Sequence, residues 1–295
     1  MKFIVCSDLH LRSDLPRCRV QSQEEWIETQ RFQLQFIAKT AKEKNIPIFM
    51  TGDIFDAPTV PDYIKNMFIE AFYQTNVFGI AGNHELPWHQ WDKVDQSSFG
   101  VLWRSGIIKP IPILQARHAH YGQEVIGEGD MLFLHTLIFE DKKSMPPNTK
   151  AMTAKEALDK YPDAKFIFAG DNHHGFGYIN EGKNNHRYVV VPGCLNRQAS
   201  DFKDYEPRIY LIDTDIESIK PIPVPDDCEI VTDSYVQESK DKMDRIHSFA
   251  SLIKEKMQQG KGSGIDFKEN VRKGMENNPE LTEGAITFIN QMMEK

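Results

Sequence analysis

The 295-residue sequence carries oxygen and imidazole donors in a repeated pattern: Asp8 and His10, Asp53 and Asp56, Asn83 and His84, His135, then Asp171 and His173. Each set closes or directly follows a short apolar run. Carboxylate, carboxamide and imidazole are the donors that suit Mn²⁺, Mg²⁺, Fe²⁺ or Zn²⁺, and no thiolate is among them. One histidine after an apolar strand is more often a structural residue than a ligand. The weight therefore lies on the ordered series and not on any single member.

The elements that would position these groups can be read from periodicity. Runs 2–6, 47–51, 77–81, 131–135, 166–169, 188–191 and 208–212 are short, rich in β-branched or aromatic residues, and mostly end in glycine or a polar residue, which predicts strands. Between the first two, Ile27, Leu34, Ile37 and Ala41 repeat at helical spacing, and Ser22 with Glu25 forms a capping box. Pro61 suits a first turn, and Ile64, Met67, Phe68, Ala71 and Phe72 follow it as one buried face. A third helix is expected from Thr153, with Glu156 completing its box and Pro162 ending it. Strands alternating with helices predict an α/β fold, in which strand carboxyl ends gather at one edge and bring distant residues together.

After Asp215 the pattern changes. Pro221, Pro223 and Pro225 punctuate an extended run. A helical face follows, made of Val236, Met243, Ile246, Ala250, Ile253 and Met257. Glycines 260, 262 and 264 then break it before a last amphipathic segment, Ala285, Phe288, Ile289 and Met292. The expected division is a catalytic domain over 1–215 and an extended linker plus helical C-terminal region over 216–295.

Hydrophobic residues make up 40% of the chain and charged residues 26%, with no apolar run of about 18 residues that could span a bilayer. Residues 1–6 run straight into a strand pattern with no basic stretch before them, which predicts a soluble, cytoplasmic protein without membrane association. Cys6, Cys18, Cys194 and Cys228 are far apart and read as buried free thiols. The net charge of −8 weighs against a nonspecific nucleic-acid coat protein, although bound cations would offset it locally.

Asp8-Leu9-His10, Gly52-Asp53-Ile54-Phe55-Asp56, Gly82-Asn83-His84-Glu85 and His135, in that order, resemble the motif series of the calcineurin-like metallophosphoesterases. The resemblance implies a layered β-sandwich flanked by helices and two divalent cations, Mn²⁺ first. It assigns Asp8, His10, Asp53 and His173 to one ion and Asp53, Asn83, His135 and Asp171 to the other, with Asp53 bridging. His84 resembles the family's non-ligand histidine, which would protonate the leaving oxygen, while Asp56 and Glu85 would orient ligands. Gly170-Asp171-Asn172-His173-His174 departs from the usual Gly-His-x-His; it puts Asp171 in place of the first histidine and leaves His174 as an alternative to His173.

Val191-Pro192-Gly193-Cys194 with Arg197, then Glu206 and the strand at 208–212, resembles the stretch that follows the last metal motif in SbcD-type DNA nucleases, although serine is usual where Cys194 stands. This likeness spans roughly 1–215. It implies a DNA exonuclease or endonuclease of repair or recombination, and an SMC-like (SbcC-type) ATPase partner docked through the 236–257 stretch. It also implies a homodimer contact within 97–106, at Phe99, Leu102 and Trp103. Arg12, Arg17, Arg19 and Arg197 would then meet the phosphate backbone. Intrachain packing explains the apolar residues as well, and a solvated loop explains the arginines. His118 and His120 have no second ligand motif beside them and read as loop residues. The rival functions are a phosphomonoesterase or cyclic-nucleotide phosphodiesterase, and a non-catalytic scaffold on the same fold.

Overall fold

The computed structural model describes residues 1–181, 186–225, 231–233, 240, 243–248, 272–275, 284, 286 and 287. The chain divides into two compact units, Met1–Thr232 and Asp233–Lys295. Every residue singled out above as a ligand belongs to the first.

Alternation along β1 (Lys2–Cys6) shows how the layers of that unit arise. Phe3 and Val5 enter one apolar cluster, and Ile4 and Cys6 enter another on the opposite face, as the two-residue period of a strand requires. β1 is central in a six-stranded sheet. On one side it pairs in parallel with β2 (Ile48–Met50), followed by β3 (Val77–Gly79) and β4 (Ile108–Lys109); on the other it pairs antiparallel with β12 (Arg208–Asp213), then β13 (Ser218–Pro223). The facing sheet runs β10 (Phe176–Glu181), β11 (His186–Val191), β9 (Phe166–Gly170), β6 (Met131–His135), β5 (Arg117–Ala119). A further parallel pair joins β7 (Ile138–Phe139) to β8 (Met152–Thr153).

Aromatic side chains fill the space between the two sheets. Phe49 stacks on Phe133 at 4.8 Å, Phe133 on Phe168 at 4.9 Å, and Phe3 meets Phe168 edge-on at 5.4 Å. The outer face of the first sheet is covered by α1 (Gln23–Lys44), α2 (Asp62–Phe72) and α3 (Ser98–Arg104), through Leu34, Ile37, Ile64, Met67, Phe68 and Phe99. α4 (Ala154–Lys160) covers the second sheet through Ala154, Ala157 and Leu158. The result is the helix-flanked β-sandwich that the motif series implied.

Local chemistry fixes the helix starts. The Ser22 hydroxyl accepts from the Glu25 N–H at 3.2 Å while the Glu25 carboxylate accepts from the Ser22 N–H at 2.8 Å, and Thr153 with Glu156 repeats the exchange at α4. α2 begins one residue after Pro61. The proline run beyond 215 is a correction to the sequence reading. Pro221 and Pro223 lie in edge strand β13, paired on one side only, where a missing N–H is tolerated. The expected boundary thus falls in the β12–β13 turn, and the first unit continues to Thr232.

In the second unit 243–248 and 272–275 are helical, and Met243 is exposed. Ile246 is half-buried, while Val236, Ala250, Ile253 and Met257 of the proposed docking face lie outside the described residues, as do Ala285, Phe288, Ile289, Met292 and Cys228. Cys6, Cys18 and Cys194 are buried and not joined to one another by a disulfide. Phe99 and Leu102, proposed for a dimer contact, are buried in the core of their own unit. Among the described residues no helix is long and apolar enough to cross a membrane.

Phe133 touches rings from both sheets, so Phe133→Ala is expected to cost about 3–5 kcal/mol in urea denaturation, against within about 0.5 kcal/mol for the exposed Phe32→Ala. Equal effects would show that the aromatic layer does not hold the sheets together.

Candidate metal centre

β1, β2 and β3 are parallel, as are β6 and β9 in the facing sheet, and the chain turns sharply past their carboxyl ends. Asp8, His10, Asp53 and Asp171 have φ values of 50°, 44°, 51° and 80°. Such left-handed conformations cost on the order of 1–3 kcal/mol each in an L-residue and persist only where the surroundings enforce them. Two glycines make room at the turns. A Cβ on Gly52, itself at φ 99°, would strike the His135 ring, and one on Gly82 would strike the Asp53 carboxylate and backbone.

These turns bring the donors together. His10 Nε2 lies 3.1 Å from His173 Nε2, 3.7 Å from Asp53 Oδ2 and 3.9 Å from Asp8 Oδ1. His135 Nε2 lies 3.2 Å from Asp53 Oδ2 and 3.0 Å from Asn83 Oδ1. Ligand atoms within 4.8 Å of one another form three overlapping sets: Asp8, His10 and His173; Asp8, Asp53 and His135; His10, Asp53 and His84. The far nitrogens are held from behind: His10 Nδ1 is 3.1 Å from Asp56 Oδ1, and His135 Nδ1 donates to the Thr51 carbonyl at 2.7 Å. Fixing one ring nitrogen aims the other at the centre.

Asp8 and Asp53 are buried, and the nitrogen bases within 4 Å of them are imidazoles rather than ammonium or guanidinium groups. Burial pushes the Asp8 carboxyl up to about 6 despite His135. Burial also acts upward on Asp53, but the charges of His135 and His10 and the His135 hydrogen bond outweigh it and hold that carboxyl below the usual range. Burial works to lower His135, yet Asp53 and Asp8 raise it to about 10. Two buried carboxylates facing a ring of imidazoles are a donor set that fits divalent cations.

Glu85 ties the centre together. Its buried carboxylate accepts N–H bonds from Asp53 at 3.0 Å, Phe55 at 3.0 Å and Gly82 at 2.7 Å, joining the turn after β2 to the turn after β3. Burial, then the Asp53 charge, push its carboxyl up to about 8, while the bonds from Phe55 and Gly82 pull the other way.

His173 enters the centre, whereas His174 packs on Phe202 at 4.6 Å and faces Asp201. Asp171 donates its backbone N–H to both Asp8 oxygens, at 3.1 and 3.2 Å, and its carboxylate belongs to none of the three sets. His84 is 40% exposed; its N–H donates to Asp53 Oδ1 at 3.0 Å and its Nδ1 to the Asp56 carbonyl at 2.9 Å. Of the arginines, Arg12 bridges Asp56 at 2.9 Å and Asp14, which ties it to the His10 support. Arg19 is buried against Trp26 and donates to the Arg197 carbonyl, and Arg197 Nη1 donates to the Lys203 carbonyl at 2.9 Å. Arg17 is exposed.

Some supports carried no sequence signal. His118 lies on β5, and His120 just beyond it stacks on Trp91 at 3.8 Å and accepts the Ala81 N–H at 3.0 Å, pinning the turn that leads to Asn83. Burial takes His120 down to about 3, so the ring is a neutral acceptor. The loop after Val191 closes over the first motif. Cys194 N–H donates to the His173 carbonyl at 3.0 Å, Leu195 N–H to the Asp8 carbonyl at 3.3 Å, and Gln198 Nε2 to the His10 carbonyl at 2.8 Å.

Residues 1–175 match the family profile described as calcineurin-like phosphoesterase. No curated protein sequence matches the chain. A solved structure described as a novel archaeal phosphodiesterase is similar at 12% identity, covering 76% of this chain and 99% of that one with a TM-score of 0.40, too distant to bear on substrate.

Glu85→Ala strands three buried N–H donors, each worth about 1–3 kcal/mol when unpaired. The variant is expected to lose several kcal/mol in chemical denaturation and to bind Mn²⁺ more weakly by calorimetry, with Glu85→Gln intermediate. Unchanged stability and affinity in Glu85→Ala would remove Glu85 from any organising role.

Proposed function

Because the chain belongs to the calcineurin-like phosphoesterase family, we propose that it is a two-metal phosphodiesterase and, more narrowly, a DNA nuclease of the SbcD type. The observation that carries the reading is the convergence of Asp8, His10, Asp53, His135 and His173, with Asn83 beside His135, under an open rim. The carboxylates are buried, while His84 and His173 are 40% and 36% exposed, so a long phosphodiester can lie across the centre without entering a deep pocket.

The family binds two divalent metals. In the proposed assignment Asp8, His10, Asp53 and His173 hold one ion and Asp53, Asn83, His135 and Asp171 hold the other, with Mn²⁺ the first choice. When bound, such a pair neutralises phosphoryl charge and supplies an activated water. The chain's own residues do the rest. Asp53 holds the two halves of the ligand set in register, Asp56 and Thr51 aim His10 and His135, and His84 faces the departing group. With its Nδ1–H fixed on the Asp56 carbonyl, a protonated His84 presents Nε2–H to the leaving oxygen.

Several features support the nuclease reading over a small-molecule esterase. The Val191-Pro192-Gly193-Cys194 run, which carries the SbcD likeness, bonds to the His173 backbone through Cys194, and Leu195 directly after it bonds to that of Asp8. Arg17 is exposed and near the first motif in sequence, although Arg19 is not free for a phosphate. The SMC-like ATPase partner and a homodimer remain part of the proposal through the resemblance alone, as does a cytoplasmic role in DNA repair or recombination.

The deciding experiment incubates the purified protein with linear duplex DNA, single-stranded DNA and bis-p-nitrophenyl phosphate, with Mn²⁺ and with chelator. Cleavage of DNA and of the aryl diester with Mn²⁺, abolished by chelator, is expected. Hydrolysis of the aryl diester without DNA cleavage would move the substrate to small diesters. A metal-loaded protein inert on all three would sink the phosphodiesterase reading.

His84→Ala is expected to retain both ions and to lose roughly two or more decades of kcat on DNA, with a smaller loss on the aryl diester, whose leaving group needs little protonation. Equal losses on both would assign His84 to the phosphoryl oxygens. Because His84 lies close to His10 and Asp53, loss of an ion from the variant would make it a ligand instead.

A further inference from the structure

The turn after His84 displays an aromatic face that the reading above leaves unused. Pro87–His89 forms a single 3-10 turn in which Trp88 and His89 are consecutive left-handed residues, at φ 52° and 57°. The turn is anchored at its base: Leu86 is buried and its N–H donates to the Asn83 carbonyl at 3.3 Å, His89 N–H donates to the Leu86 carbonyl at 2.9 Å, and His89 Nδ1 lies 3.1 Å from the Asn83 carbonyl. Trp88 is therefore presented by a fixed turn. Trp88 is 74% exposed, in contrast to the fully buried Trp26.

A single exposed apolar side chain is ordinary and carries no meaning by itself. Here Trp88 lines a cavity of about 280 Å³ that it shares with Asp56, Asn83, His84, Pro58 and Leu86. No lysine or arginine lines it, so it is not an anion site in its own right. A ligand reaching from the metal centre into this cavity would set a phosphoryl group beside His84 and a flat apolar body against Trp88. A nucleotide has both features, and base stacking on an aromatic side chain tolerates any base because every base has a π-face.

We propose that Trp88 forms a stacking subsite, beside Leu86 and His89, for the nucleobase on the leaving-oxygen side of the scissile phosphodiester. The choice of side rests on the placement of His84 at the leaving oxygen. The subsite makes the substrate a nucleotide-bearing diester rather than a sugar or lipid phosphate.

Two measurements test this. Tryptophan fluorescence is titrated with AMP and with ribose 5-phosphate, in the wild type and in Trp88→Phe. Saturable quenching by AMP in the wild type alone, with none from ribose 5-phosphate, is expected. Kinetics then compare a dinucleoside monophosphate with its counterparts lacking either base. Trp88→Ala should raise KM on the intact dinucleotide on the order of 5- to 100-fold with kcat little changed, and should leave the counterpart lacking the leaving-side base unaffected. Trp88→Phe should keep most of the affinity. Absence of AMP quenching, or an equal KM rise on intact and base-lacking substrates, overturns the subsite. Quenching by AMP in a protein that hydrolyses no diester would uphold the subsite and sink the hydrolytic reading, whereas hydrolysis indifferent to Trp88 would do the reverse.

Discussion

Asp53 keeps its left-handed turn because the Glu85 carboxylate holds the backbone on both sides of it, accepting the N–H of Asp53 itself, of Phe55 two residues on, and of Gly82 from the next turn. A buried carboxylate is costly unless its lone pairs are satisfied, and here each donor is itself a backbone group that would otherwise be orphaned. Two penalties cancel in one interaction. Gly52 and Gly82 leave the space for that closeness, and His135 and Asn83 then have a fixed oxygen to face.

The spacing of the two sheets does as much for the centre as any residue in it. Asp53 comes from the first sheet and His135 from the second, so their 3.2 Å approach depends on what separates the layers. Phe3 and Phe49 on one side interleave with Phe133 and Phe168 on the other, close-packed in stacked and edge-on pairs. The same strands carry both functions, with inward residues setting the separation and carboxyl ends supplying the donors. A change of volume in that aromatic layer would be felt at the ligands.

Much of this was legible in the sequence because it is local. The bounds of β1 and β6 match their apolar runs, the capping boxes at Ser22 and Thr153 formed as their spacing required, and the ordered donors met at one edge. What was not legible depends on long-range pairing. β4, β7 and β8 have two residues each and β5 three, too short for any periodicity, and exist because a neighbouring strand offers hydrogen bonds. β13 was hidden by its prolines, which an edge position tolerates. His120 shows the same limit at the centre: an imidazole stacked on Trp91 looks, in sequence, like any loop histidine, whereas the motif series marked Glu85 as a ligand-orienting residue without showing that it spans two turns. Arg19 looked like a phosphate contact and proved to be packed on Trp26.

The approach of His10 to His173 has a topological consequence. The two rings are 163 positions apart in the chain and come from different sheets, yet their nitrogens lie 3.1 Å from each other. An ion shared by them would close a loop of most of the first unit, as a disulfide would, but through a reversible bond set by ion concentration. Its contribution to folding follows mass action, growing as RT ln(1 + [ion]/Kd), about 2.7 kcal/mol when the ion is at a hundredfold its Kd. Resistance to unfolding and catalytic competence would then rise and fall with the same free ion, so that divalent supply would govern how long the molecule survives as well as how fast it works.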